Sequence, residues 1–248
     1  MDIELQRDGI TLRGKLERAS NEKGPIAIIF HGFLADLGYT EDSLYSKIAT
    51  RILKENISVI RFDFNGHGKS DGKLVDMDVL NELEDAMAIL NYVRKLDFVT
   101  DIYVVGHSQG GVVGGMLAGY YPDIISKLAL LAPAATLKDD ALMGTVMGTK
   151  YDTDHIPETV SINNTPFTIG GKYFRIAKLL PIYEVTKNYK GDMLVIHGLK
   201  DQVVDVKAAY RYREAIPSCK LGIYEELDHG IAGEDSEKAL NELMEFLK

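Results

Sequence analysis

Apolar residues recur along this chain in two rhythms. Ile26-Ala27-Ile28-Ile29-Phe30 is unbroken, as in a strand buried on both faces of a parallel sheet. Residues 2–19 instead alternate around Asp8-Gly9, which predicts an opening hairpin. Leu44, Ile48 and Ile52, with Tyr45, Ala49 and Leu53, fall at helical spacing. Ser58 to Phe64 reads as the next strand and runs into the polar turn Asn65 to Gly72. A helix is predicted from about Asp78 to Leu96, with Leu80, Leu83, Ala86 or Met87, Leu90 and Val93 on its apolar side. Ile102 to Val105 is a further strand, followed by a small-residue helix that Tyr121-Pro122 ends. Lys127 to Ala132 is another, closing in Pro133-Ala134-Ala135. From Thr136 to Tyr183 no clean strand–helix unit is visible. Alternation resumes with a strand from Asp192 to His197, a helix through Ala215, a strand from Leu221 to Glu225 and a final helix from Glu234 to Lys248. This order predicts an α/β fold with a mostly parallel central sheet and helices on both faces. It predicts one domain over residues 1–248, with residues 136–183 as a lid insertion.

One junction carries chemistry. The strand ending in Val104-Val105 meets Gly106-His107-Ser108-Gln109-Gly110-Gly111 and then the small-residue helix. Strand, tight turn and helix are the context a G-x-S-x-G nucleophile elbow requires. Side chains at positions 106 or 110 would collide with the adjoining strand and helix, while Ser108 would sit in a strained backbone with its Oγ exposed. The Gln109 backbone N–H, at a helix N-terminus, would face a developing oxyanion. The plainer alternative is a Gly-Ser turn that only links two elements.

A serine hydroxyl needs a base, and the base needs an acid to orient it. In a parallel sheet such groups collect at the carboxyl ends of strands. His31, His67 and His197 each neighbour a glycine after a strand, His107 precedes the serine and should point away from it, and His155 lies in the insertion. With the order serine, acid, histidine, only His155, His197 and His229 follow Ser108, and His229 alone has a strand-end carboxylate ahead of it, Asp201. Asp205 reads better as a helix cap, and Asp228 is too close along the chain to reach His229 well. His31, His67 and His197 are assigned to hydrogen bonding within their turns. A second oxyanion donor is expected from the loop His31-Gly32-Phe33, as the Phe33 N–H.

Charge and cysteine content narrow the partners. A formal net charge of −9 disfavours nucleic acid and anionic membranes. The single cysteine, Cys219, cannot form an intrachain disulfide and has no activating glycine turn, so it is expected to be inert. The N-terminus has no apolar signal core and no stretch approaches a membrane span, which predicts a cytoplasmic protein that does not engage membranes. No metal or organic cofactor is expected, since Gly66-His67-Gly68 lacks the full dinucleotide fingerprint.

Phe30-His31-Gly32-Phe33, Asn65 to Gly72, Gly106 to Gly111 and Asp201 with Asp228-His229 together resemble the α/β-hydrolase superfamily. More narrowly, the chain resembles the cinnamoyl (feruloyl) esterases of gut and rumen bacteria. That likeness extends to Leu131 to Thr136, Asp154-His155-Ile156-Pro157, Gly170 to Tyr173 and Leu180-Pro181-Ile182-Tyr183, so it runs end to end. The resemblance implies Ser108, Asp201 and His229 as a triad, Phe33 and Gln109 as oxyanion donors, and a small aromatic ester as substrate. It also implies that insertion residues read a hydroxycinnamoyl ring, with Asp140 and Tyr173 where the family has polar readers. Met147 departs from the glutamine of better-known relatives, which removes one hydrogen-bonding group. The plainer role for all three is packing of the insertion. A homodimer is compatible with the resemblance. The competing readings are a lipase or monoacylglycerol hydrolase, a thioesterase or peptidase, and a ligand-binding protein without turnover.

Overall fold

The computed structural model describes residues 1–20 and 22–248. The sheet begins with the hairpin β1 (Asp2–Arg7) and β2 (Ile10–Glu17), paired antiparallel. Its turn, Asp8-Gly9, has φ of 48° and 84°, the left-handed pair that suits the twist of a two-residue hairpin. β3 (Gly24–Phe30), β4 (Ser58–Phe62), β5 (Val99–His107), β6 (Ile125–Leu131), β11 (Asp192–Gly198) and β12 (Lys220–Tyr224) complete an eight-stranded sheet in the order β1-β2-β4-β3-β5-β6-β11-β12. β2 meets β4 antiparallel, and every pairing from β4 to β12 is parallel.

Helices cover both faces, as the unbroken apolar strands require. Along β3, Ile26, Ile28 and Phe30 enter one core, whereas Ala27 and Ile29 enter the other. The first core lies under α2 (Val79–Val93) and α3 (Gln109–Tyr120), the second under α1 (Leu44–Lys54) and α8 (Ser236–Leu247). α3 is buried from Gln109 through Gly119, which explains its small, apolar composition. α7 (Lys207–Ala215) joins β11 to β12.

The apolar side read for α2 holds at Leu83, Ala86, Leu90 and Val93 but not at Leu80. Leu80 is 40% exposed, and the buried face holds Val79, Leu83, Ala86, Ile89, Leu90 and Val93 together with Glu82 and Asp85. The leucine spacing gave no sign that two carboxylates, Glu82 and Asp85, share that inner face.

Between β6 and β11 the chain forms only short elements: α4 (Leu137–Leu142), the hairpin β7 (Thr145–Val146) and β8 (Thr149–Lys150), the hairpin β9 (Thr159–Ser161) and β10 (Thr168–Gly170), α5 (Gly171–Ala177) and α6 (Ile182–Thr186). None is long enough to register a period, which is why the sequence pattern broke there. Val146, Val160, Ile169, Tyr173 and Phe174 are nevertheless buried and continuous with the main core. Among the described residues no helix is long and apolar enough to cross a membrane.

Candidate active site

β5 delivers Ser108 at its carboxyl end with φ 54° and ψ −122°, a strained conformation for a residue with a side chain. Neighbouring strands fix it: the Ser108 N–H donates to Leu131 O at 2.9 Å, and Ser108 O accepts from Ala134 N–H at 2.9 Å. The glycines of the elbow are required by contact. A Cβ at Gly106 would stand 2.3 Å from Gly110 O, and one at Gly110 would stand 2.3 Å from His31 O and 2.5 Å from Phe30 O. Those obstacles are backbone, so the elbow itself would have to move. Gly110→Ala is therefore expected to cost on the order of 3 kcal/mol of stability, read as a lowered denaturant midpoint. An unchanged midpoint would show that the packing yields.

The loop after β12 brings His229 over the serine. His229 Nε2 lies 2.9 Å from Ser108 Oγ, and its Nδ1 lies 2.8 Å from Asp201 Oδ2. This geometry makes Nδ1 the donor to the carboxylate and leaves Nε2 free to take the serine proton. Asp201 follows β11, and its other oxygen accepts the N–H groups of Val203 and Val204, both at 2.8 Å. His197 Nε2 lies 3.1 Å from Asp201 Oδ2. Burial would raise the Asp201 carboxyl, yet hydrogen bonds from His197, His229 and Val204 hold it well below the usual carboxylate range. Its rivals do other work: Asp205 Oδ1 accepts from Lys207 N–H at the start of α7, and Asp228 Oδ1 accepts from Ala232 N–H.

Two further histidines support the site. His107 points away from the serine, as expected, and its Nε2 sits 2.8 Å from the carbonyl of His229. Its Nδ1 is 2.9 Å from Tyr45 Oη, which accepts the Gly32 N–H at 2.8 Å. With Nε2 donating, Nδ1 accepts from the tyrosine, and the ring ties the His229 loop to the elbow. Burial pushes His107 down to about 4, so it keeps this neutral form. His197 Nε2 bonds within its own turn, 3.1 Å from Val204 O, and lies equally close to Asp201 Oδ2. The only sequence signal for either was position at a strand end. His31 accepts from Phe64 N–H at 3.0 Å and bonds within its own turn, and His155 lies exposed.

The two candidate oxyanion amides flank the serine. Among the described residues neither the Phe33 nor the Gln109 backbone N–H has a protein acceptor. Gly32 approaches closely, since a Cβ there would lie 3.0 Å from Ser108 Cβ. A cavity of about 160 Å³ opens on Ser108 and His229. Phe33, Leu137, Val146, Met147 and Val203 give it apolar walls, and Thr136, Asp140 and Tyr173 also line it. The Tyr173 ring stacks on Phe33 with centroids 5.3 Å apart, but its hydroxyl donates to Gln109 Oε1 at 2.6 Å. Asp140 accepts from Thr136 Oγ1 at 2.8 Å, and burial raises its carboxyl. Met147, 47% exposed with φ 45°, shares the turn of the β7–β8 hairpin with Gly148. A larger depression of about 1030 Å³ lies elsewhere, lined by Glu17, Arg61 and Lys248, and contains none of these strand-end groups. Cys219 is buried with its thiol pushed up to about 12, which leaves no thiolate to compete with the serine. Among the described residues no group of three or more His, Cys, Asp or Glu side chains is arranged to hold a metal ion.

This is the fold and strand-end arrangement of a serine hydrolase of the α/β-hydrolase type. Residues 22–165, more than half of the chain, match the family model described as serine aminopeptidase, S33, and the chain belongs to that hydrolase family. Among solved structures it is similar to Est1E from Butyrivibrio proteoclasticus with ferulic acid bound, at 31% identity and TM-score 0.92, covering 99% of this chain and 97% of that one. Human monoacylglycerol lipase ABHD6 is 24% identical over 264 residues, covering 90% of this chain and 75% of the lipase. An uncharacterized protein of Mycobacterium tuberculosis is 30% identical over 119 residues, so the match spans 47% of this chain and only 31% of that relative.

Proposed function

We propose that the chain is a serine carboxylesterase that hydrolyses hydroxycinnamoyl esters, of the ferulate, coumarate or caffeate type, through an acyl-enzyme. His229 takes the Ser108 proton as Oγ attacks the ester carbonyl, and Asp201 stabilises the imidazolium. The Phe33 and Gln109 amides receive the oxyanion. His229 then protonates the leaving alcohol, and water repeats the attack on the acyl-enzyme to release the acid.

The observation that carries the aromatic assignment is the cavity beside Ser108. At about 160 Å³ it is small against the roughly 300–1,000 Å³ common for drug-sized ligands, and Phe33 and Tyr173 give it a flat aromatic wall. Asp140, with a raised carboxyl, offers a polar group for a ring hydroxyl. The likeness to a protein whose solved structure holds ferulic acid supports the same choice. A monoacylglycerol-type lipase is the second reading, favoured by the named human relative and by Met147 and Val203 at the cavity.

Comparing kcat/KM for methyl ferulate with that for medium-chain nitrophenyl esters and a monoacylglycerol separates the two. The aromatic ester is expected to be preferred by at least about tenfold, equivalent to about 1.4 kcal/mol of transition-state binding. Faster turnover of chain esters with no ferulate released would reverse the assignment.

A further inference from the structure

We propose that Glu82 is a positioning residue for the oxyanion hole, anchoring through one buried chain of contacts both residues that carry its amides; this rests on the esterase reading above. Glu82 sits on the inner face of α2 and is 1% exposed. Its Oε2 accepts from Gln109 Nε2 at 2.8 Å, and Gln109 Oε1 accepts from the Tyr173 hydroxyl at 2.6 Å. Both ends of the Gln109 side-chain amide are thereby used, which fixes that side chain at the first turn of α3, directly after Ser108. Tyr173 in turn stacks on Phe33 at an interplanar angle of 27°. One carboxyl is thus linked through the Gln109 and Tyr173 side chains to both residues that carry the amides, and it does not line the cavity.

The protonation state of this carboxyl matters to the hole. From its own helix, Asp78 and Asp85 face it; Asp78 pairs with Lys172 of α5 at 2.6 Å, and Asp85 pairs with Arg7 of β1. From the loop after β4, His67 Nδ1 is 3.9 Å from Glu82 Oε1, beyond hydrogen-bond reach, and it bonds Asn65 O instead. From α5 comes Tyr173. Burial, with the charges of Asp85 and Asp78, pushes Glu82 up to about 8 despite the bond from Gln109. Burial also pushes His67 down to about 3, so it brings no compensating charge. Glu82 is therefore neutral at pH 7 and becomes negative as the pH rises through about 8. A negative charge behind the amide that must bind an oxyanion opposes the transition state in a low-dielectric site.

The test is kcat and KM against pH for the full chain, for Glu82→Leu and for Glu82→Gln, on whichever ester the unaltered protein turns over best. Glu82→Leu is expected to lower kcat roughly tenfold with KM changed less than about twofold, because the hole acts on the transition state. Glu82→Gln restores most of that loss at neutral pH and removes the alkaline decline. Melting temperatures add a sign. The folded carboxyl holds its proton more tightly than the unfolded one, so the unaltered protein loses stability between its unfolded value, about 4.3, and the folded value. The glutamine variant should gain on it at pH 9 and not at pH 5. An alkaline decline shared by the unaltered protein and Glu82→Gln, or an unchanged kcat in Glu82→Leu, overturns the proposal. Should the leucine variant not fold, the glutamine pH profile decides alone. If the unaltered protein hydrolyses no ester and a fluorophosphonate leaves Ser108 unmodified, the esterase reading fails and takes this inference with it. Normal turnover with indifferent Glu82 variants sinks only the inference.

Discussion

Replacing Ser108 by alanine is expected to lower ester turnover by roughly 10⁵–10⁶-fold and to abolish fluorophosphonate labelling, while the far-ultraviolet spectrum and melting behaviour stay close to normal. Among the described residues the hydroxyl bonds only His229 Nε2, at 2.9 Å, and that ring is part-exposed, so removing the hydroxyl leaves no buried group orphaned. The backbone is a separate matter. At φ 54° an alanine is as strained as the serine, and glycine is not. Ser108→Gly is therefore expected to be equally inactive yet about 1–2 kcal/mol more stable than Ser108→Ala. Equal denaturant midpoints for the two variants would show that the elbow stores no strain. Residual turnover above about 1% of normal would remove Ser108 from the chemistry altogether.

The second large effect is at Asp201. Asp201→Asn keeps the shape but presents an amide to His229 and His197, and a donor there favours the wrong imidazole tautomer for taking the serine proton. The comparable change in a Ser-His-Asp triad costs roughly 10⁴ in kcat. The carboxyl is held below its ordinary value, so its contribution to stability is fully present above about pH 4 and is lost as the pH falls from there. The asparagine variant should accordingly show a flatter acid limb in its stability against pH. A variant within tenfold of normal kcat would mean that His229 is oriented by something other than Asp201.

Much of this arrangement was readable along the chain. The double-faced burial of β3 follows from its unbroken apolar run, and the Asp8-Gly9 turn from residues that tolerate positive φ. The elbow glycines were legible because only absent side chains fit the contacts made there. Ser108, Asp201 and His229 lie where their strand-end positions put them, and the structure brings the three within hydrogen-bond distance. Less visible were groups whose partners lie far off in sequence. Tyr173 reads as a group facing substrate, but its hydroxyl is donated to Gln109, 64 positions away. His107 reads as a residue that points away from the serine, but the carbonyl it bonds belongs to a residue 122 positions later. Glu82 was hidden because a carboxylate on a helix normally marks the solvent side.

Local pattern determined the parallel sheet, its helical layers, the crowded elbow and the order of the three candidate groups, because period, glycine placement and strand ends are properties of short stretches. Tertiary structure decided what each polar side chain is bonded to, and hence its charge. The cost of burying a carboxyl or an imidazole depends on neighbours that the chain supplies only once it has closed on itself.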